Sequence, residues 1–268
     1  MTATPTGVTA PRLRWWREVV YILAFYAVYS FIRNQFGSAA VEPVDAFSNA
    51  KDVIDWERAI GLFHEETLQE WFLGWRWFIQ FWNIFYGTFH FVVTATALIW
   101  MFRKFPQRYP RWRNTLAFTT ALALIGFATF PLMPPRLLPE HYGFVDTLAQ
   151  YGGLWSFDSG AMQKVSNQYA AMPSLHFGWS AWSFFVLYPQ LRKRLGKVAI
   201  AAYPWLTLFA IMVTANHYWI DAAAGAAILA LGYGLAVWFT NLTQRSRPAP
   251  SPEPVHQPDA AAPTARPG

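Results

Sequence analysis

The chain has 268 residues, 54% hydrophobic and 19% aromatic but only 13% charged, about half the charged share of an ordinary soluble domain. A soluble globular class is therefore disfavoured, and a polytopic membrane protein is expected. The net charge of +6 is spread over separate loops and ends rather than one stripe, which speaks against nucleic-acid binding. The lack of cysteine excludes disulfides, thiolate catalysis and Cys-ligated clusters.

Residues 1–14 are small, polar and basic, and read as a disordered N-terminus. Arg12, Arg14 and Arg17 flank an apolar run over about 19–32. Such a start, with Ser38-Ala39-Ala40 beyond it, also suits a cleaved secretory signal. Trp15 and Trp16 as an interfacial anchor, and the polar Arg33-Asn34-Gln35, favour an uncleaved first span. From 37 to 76, apolar Val53, Ile54, Trp56, Ile60, Leu68 and Trp71 alternate with Asp52, Asp55, Glu57, Glu65, Glu66 and Glu70. This predicts one or two amphipathic helices on the surface, too charged to span. Residues 77–102 form a second span, in which Asn83, Tyr86 and His90 share one helix face.

The basic loop 103–113 precedes a third span, 115–130, which ends where Pro131, Pro134 and Pro135 forbid further helix. Residues 141–171 read as a loop. A fourth span, 177–188, is led in by Pro173-Ser174-Leu175-His176, with Pro173 placed in the first turn of its helix. After the basic loop 192–197 come a fifth span, 198–214, kinked at Pro204, a polar turn from Asn216 to Asp221, and a sixth span, 222–239. The many small residues of that last span allow close backbone packing. Residues 244–268 are a Pro/Ala-rich disordered tail. The fold class is thus all-α: a six-helix membrane domain over 15–243, with an amphipathic helical segment outside the cytoplasm. Apolar stretches near ~20 residues match a bilayer, and the tryptophans suit its interfacial belts.

The positive-inside rule puts the N-terminus in the cytoplasm. Six spans then place the loops 103–113 and 192–197 and the C-terminus on that same side. The 37–75 segment, Arg136, the Ser174–His176 stretch and the Asn216–Asp221 turn all fall on the outer face, so three separate polar motifs share one face.

Their chemistry is consistent with phosphate. His217 and Asp221 are four apart, one helical turn on one face. A carboxylate there fixes the imidazole tautomer and leaves the second ring nitrogen as a nucleophile. His176 can protonate a leaving oxygen, and Arg136 and Ser174 can hold phosphate oxygens beside the free amides of a helix N-terminus. Read one at a time, each of these residues has a structural explanation. Ionisable groups at membrane depth, however, are functional by default. No spacing beyond the His–Asp pair suits a metal, so neither metal nor cofactor is expected.

Pro173-Ser174-Leu175-His176 resembles the Pro-Ser-x-His motif of the type 2 phosphatidic acid phosphatase superfamily, and His217-Tyr218-Trp219-Ile220-Asp221 its His-x-x-x-Asp motif. The longer forms Met-Pro-Ser-Leu-His and Asn-His-Tyr-x-x-Asp, with Asn83, Tyr86 and His90 as a substrate pocket, are similar to its inositol phosphorylceramide synthase branch. The resemblance covers roughly residues 71–231. It implies a six-helix core, His217 as nucleophile oriented by Asp221, His176 as acid, a metal-independent phosphohistidine mechanism and a lipid-linked phosphate substrate arriving from the bilayer. Two departures stand out. The superfamily's Lys-x6-Arg-Pro is here Thr129 and Arg136-Leu137, and its Ser-Arg before the nucleophile is Ala210-Ile211. Phosphate binding then rests on fewer cations, with Lys164 and Asn216 as substitutes.

The expected activity is lipid phosphotransfer to an alcohol such as inositol, in a multi-pass protein of a bacterial cell membrane; phosphatase action with water as acceptor is the alternative. A haem carrier using His90, His176 and His217 leaves Ser174, Asp221 and Arg136 unexplained, and a non-catalytic membrane protein leaves the whole constellation unexplained. A reporter active only outside the cytoplasm is expected to work when fused after Gly153 and to fail after Pro110 or Lys197.

Overall fold

The computed structural model describes residues 13–36, 41–153 and 168–245. Lys164, the Ser38-Ala39-Ala40 stretch and nearly all of both tails lie outside these. Among the described residues every regular element is helical. In chain order these are α1 (Trp15–Phe36), α2 (Pro43–Ala59), α3 (Glu65–Leu73), α4 (Arg76–Lys104), α5 (Tyr109–Thr129), the short α6 (Thr147–Tyr151), α7 (Leu175–Leu187), α8 (Arg194–Val213) and α9 (Trp219–Arg245), with 3₁₀ turns at Pro135–Leu137, Glu140–Tyr142 and Tyr188–Gln190.

Three helices are long and apolar enough to cross a membrane by length and composition: α4, α8 and α9. Much of their apolar surface faces outward, with Trp77 84%, Trp205 71% and Trp238 60% exposed. Such a surface belongs in lipid rather than water. α7 has only 13 helical residues before the Tyr188–Gln190 turn, about 20 Å at 1.5 Å per residue. Helix α5 starts earlier than its apolar run, inside the basic stretch expected to be loop. Pro110 sits in its first turn, where the fixed φ suits helix and the lost N–H costs nothing. α1 lies along α5, held where Arg113 Nη1 donates to both Glu18 oxygens at 2.7 and 2.8 Å and the Tyr109 hydroxyl adds a bond at 3.1 Å.

Helices α5, α7 and α9 pack closely because small residues face one another. A Cβ on Gly225 would meet the Ser174 carbonyl oxygen, one on Gly178 would lie 3.4 Å from the Gly225 oxygen, and one on Gly232 would crowd Thr119. α7 and α9 begin, and α5 and α8 end, at one pole of the bundle. Arg103 and Lys104 end α4 and lead into the start of α5, and Arg192 and Lys193 lie between the end of α7 and the start of α8, so these basic residues sit at the opposite helix ends.

The segment expected to lie on the surface does more than that. Helices α2 and α3 form over it, but their inner faces are buried: on α2, Ala46, Ala50, Val53 and Ile54 pack against Leu132, Met133, Phe144 and Tyr218, and on α3 Glu65 and Gln69 turn inward. The stripe Ala46, Ala50, Val53/Ile54 continues at helical spacing to Glu57, which is buried too. Backbone and side-chain bonds fasten this layer to the chain after α5: Met133 N to Ala46 O at 3.1 Å and Asn49 Nδ2 to Pro131 O at 2.8 Å. The layer therefore roofs the pole where the polar motifs meet.

Gly225→Ala is expected to cost about 1–3 kcal/mol through overpacking, read as a lower melting temperature in detergent. Gly234→Ala, with open space at its Cβ, should be neutral or gain up to about 1 kcal/mol of helix propensity.

Candidate active site

Helix α8 ends through a tight turn at Thr214–Tyr218. Ala215 takes φ 52°, a left-handed conformation that costs a non-glycine residue roughly 1–2 kcal/mol. Bonds to its neighbours hold it there: Asn216 N and His217 N both reach the Ile211 carbonyl, at 3.0 and 3.3 Å, and the Arg136 amide donates to Ala215 O at 2.8 Å. The turn presents His217 and then starts α9 at Trp219. His217 thus precedes the helix rather than sharing a face with Asp221 inside it. What joins them is capping. Asp221, third in the helix, reaches back so that Oδ2 accepts from the Tyr218 amide at 2.9 Å and from His217 Nδ1 at 3.2 Å. This is the reciprocal half of a capping box.

His217 Nδ1 also lies 2.9 Å from the Ala171 carbonyl. Two acceptors on one nitrogen assign the proton to Nδ1 and leave the lone pair on Nε2. Nε2 points at His176 Nδ1, 3.4 Å away. The His217 side chain is 4% exposed and that of Asp221 0%, so the pair is dry.

Ser174 is the N-cap of α7, its hydroxyl accepting from the Phe177 amide at 3.4 Å. Pro173 therefore lies outside the helix rather than in its first turn. The Ser174 amide donates to the Asp221 carbonyl at 2.9 Å, which ties the two polar islands together directly. His176, second residue of α7, stacks on Tyr86 at 4.1 Å between ring centroids and meets His90 edge-on at 4.2 Å. His90 is fixed in turn by Nδ1 against the Tyr86 carbonyl, 3.0 Å away.

Arg136 donates from Nε to Asn216 Oδ1 at 2.9 Å and from Nη1 to Asp146 Oδ2 at 2.7 Å, with its side chain 12% exposed. Asn216 passes the order on, its amide donating to the Thr214 carbonyl and hydroxyl. The structure thus brings together His217, Asp221, His176, Ser174, Tyr86 and His90, with Arg136 and Asn216 joined to each other on the same turn. Asn83 does something else. Its amide donates to Thr147 O at 2.8 Å and Gly152 O at 3.0 Å and accepts from the Thr147 hydroxyl at 2.9 Å; it fastens α4 to the loop around α6.

The family model described as PAP2 superfamily matches residues 51–235, which contain every element of this site. The chain belongs to the PAP2 superfamily. Members of that superfamily are phosphatases and phosphotransferases, and three apolar helices together with this membership fit a membrane protein. No curated protein and no solved structure gives a significant match. Among the described residues of this PAP2 chain, no group of three or more His, Asp or Glu is placed to hold a metal ion.

Sequence reasoning missed three carboxylates. Asp146 caps α6 through Oδ1, at 3.1 Å to both the Leu148 and Ala149 amides, while Oδ2 holds Arg136. Its position before Thr147 was a legible N-cap signal. Glu57 and Glu65 meet the first turn of α9: Glu57 Oε1 accepts from the Ile220 amide at 2.8 Å, and Glu65 Oε1 from the Trp219 amide at 3.3 Å. For Glu57 the only sequence signal was its place on the apolar stripe of α2.

Asn83→Ala removes the side-chain bonds to the buried Thr147 carbonyl and hydroxyl and to the partly buried Gly152 carbonyl. It is expected to lower stability by about 1–3 kcal/mol, measured by denaturation in detergent.

Proposed function

We propose that this PAP2 protein is a lipid phosphotransferase, moving a phosphoryl or phospho-headgroup unit from a membrane lipid to an alcohol such as inositol through His217. The observation that carries this reading is the His217 imidazole: Nδ1 is held by the Ala171 carbonyl and Asp221, while Nε2 is directed at His176. An imidazole with one nitrogen tied and the other free is the arrangement a nitrogen nucleophile requires.

In the first step the Nε2 lone pair forms a bond to phosphorus as the bond to the leaving oxygen breaks, and His176, charged as imidazolium beside the bound phosphate anion, gives that oxygen its proton and becomes neutral. In the second, the acceptor alcohol attacks phosphorus, its proton goes to His176, and the P–N bond breaks to restore His217. A gap of 3.4 Å is too short to hold a phosphoryl group between the rings, so bound substrate replaces that contact and His176 then faces it. Asp221 stabilises the developing positive charge on the ring. Arg136 and the Ser174 hydroxyl, which retains its proton after accepting from Phe177, supply donors to phosphate oxygens; Asn216 holds Arg136 in register. Tyr86 and His90 form the wall behind His176. The outward placement of this pole, with both termini cytoplasmic, follows from the basic residues at the opposite helix ends. The preference for transfer over hydrolysis rests on the likeness of Met172–His176 and Asn216–Asp221 to the inositol phosphorylceramide synthase branch. Incubation with labelled lipid, with and without inositol, decides the acceptor: a new phosphoinositol-containing lipid is expected, and free phosphate alone establishes water instead.

His217→Ala is expected to abolish the acid-labile phosphoenzyme. His176→Ala should slow turnover of a lipid alkoxide leaving group by about 10²–10⁴-fold and that of a nitrophenyl ester far less, since nitrophenolate leaves without a proton. Asp221→Asn should slow both substrates alike. Labelled phosphate retained on His217→Ala protein, or equal losses on both substrates in His176→Ala, refutes the assignment.

A further inference from the structure

Two buried acids have no part in that chemistry. Glu57 on α2 and Glu65 on α3 are both fully buried, the most expensive environment for a carboxylate. Each spends one oxygen on an amide of the first turn of α9, Ile220 for Glu57 and Trp219 for Glu65. Their second oxygens meet no donor on any neighbouring group, and the two carboxyl groups lie within hydrogen-bonding reach of each other. Two ionised carboxylates so placed would repel in a dry site, whereas one proton between them supplies the missing donor and leaves a single negative charge on the positive end of the α9 dipole.

The surroundings match that count. Asp221, Tyr218 and Tyr142 face the region from α9, its turn and the loop above it. Glu66 turns to Gly143, and Arg58 turns away to Asp55 and the Phe63 ring. Burial, then the hydrogen bond and charge of Glu65, push the Glu57 carboxyl up to about 9, and burial raises Glu65 as well. Burial beside these acids raises the Tyr218 phenol well above its ordinary range, so Tyr218 does not titrate near pH 9.

We propose that Glu57 and Glu65, sharing one proton, are positioning residues that cap α9 and thereby hold the His217–Asp221 turn in its working geometry. The amides they take are N1 and N2 of α9, groups that a helix cannot satisfy itself. The residue before them, Tyr218, has no short side-chain acceptor to do so; its hydroxyl is 3.0 Å from the Met133 carbonyl instead. Asp221, the next donor-seeking carboxylate on that turn, is then released to serve Tyr218 N and His217. The proposal rests on the phosphohistidine reading for its effect on activity, but not for its effect on folding.

The test compares full-length wild type, Glu57→Gln and Glu57→Ala in detergent, by melting temperature and by turnover of a nitrophenyl phosphate ester, from pH 4 to 10. A group protonated in the folded state and ionised in the unfolded one contributes stability below its unfolded pKa and loses it as pH rises to its folded value. The wild-type melting temperature should therefore fall between about 4.5 and about 9, and turnover should fall above about 9. Glu57→Gln keeps an acceptor for Ile220 and a donor for Glu65, so it should retain kcat within about threefold at pH 7, lose the fall in turnover above about 9 and show a shallower melting slope, with the remainder due to Glu65. Glu57→Ala should lower kcat at least tenfold with KM little changed; if it does not fold, the Gln variant decides. Wild-type pH dependence persisting in Glu57→Gln, or equal kcat in folded Ala and Gln variants, overturns the proposal. Wild-type protein inactive on every phosphate ester, with the melting slope present and made shallower by Gln, overturns the phosphohistidine reading and upholds the capping pair.

Discussion

The organisation of this protein depends on satisfying the first turn of α9 inside the bundle, with protein groups rather than its own helix. Four amides at a helix start have no i−4 partner within the helix; here side chains take three, and the fourth, Asp221 N, reaches the Tyr218 carbonyl at 3.1 Å. Asp221 takes Tyr218 N, Glu65 takes Trp219 N and Glu57 takes Ile220 N. The Asp221 carbonyl in turn receives the Ser174 amide. One turn of backbone is thereby bound to α2, α3 and α7. Because Asp221 Oδ2 is shared with His217 Nδ1, the solution to a capping problem also sets the tautomer of the proposed nucleophile.

The roof over this turn explains why the acidic segment is built as it is. Helices α2 and α3 are too charged to span a membrane, but α2 has an apolar stripe opposite a charged face, and α3 turns Glu65 and Gln69 inward. Burying Ala46, Ala50, Val53 and Ile54 against Leu132, Met133 and Tyr218 supplies hydrophobic free energy, at about 25 cal/mol per Å² of apolar area, against which two buried acids can be carried inward. Below the roof, the glycine contacts of α7 with α9 let the helix starts approach closely enough for backbone groups of one to bond the other.

Most polar groups at the site are engaged with one another. Arg136 holds Asn216 and Asp146; Asn216 holds the Thr214 end of α8; Asp146 caps α6. Such chains fix geometry before substrate arrives and spare the reacting groups reorganisation. Against that background His176 is distinctive. Rings flank it on two sides, and among the described residues its polar contact is the nitrogen of His217, so packing positions this imidazole.

The sequence by itself determined the helical class, the order of the elements and the polar islands. Apolar periodicity and proline punctuation are local properties, and they put α4, α8 and α9 within a few residues of their expected limits. The motif residues His176, His217 and Asp221 were legible because their types are costly in apolar runs. Their pairing was legible from the spacing, but its geometry was not: His217 lies before the helix, and Asp221 reaches it as a cap rather than along a shared helix face. Glu57 and Glu65 were legible only as charge on amphipathic helices, because burial of an acid depends on which backbone amides other segments bring to it. Asn83 shared a face with Tyr86 and His90 in sequence, but the loop that folds over α4 took its amide for structure. Contacts between residues more than a hundred positions apart, such as Glu65 with Trp219, are set by the packing of the whole bundle, and only the tertiary structure decided them.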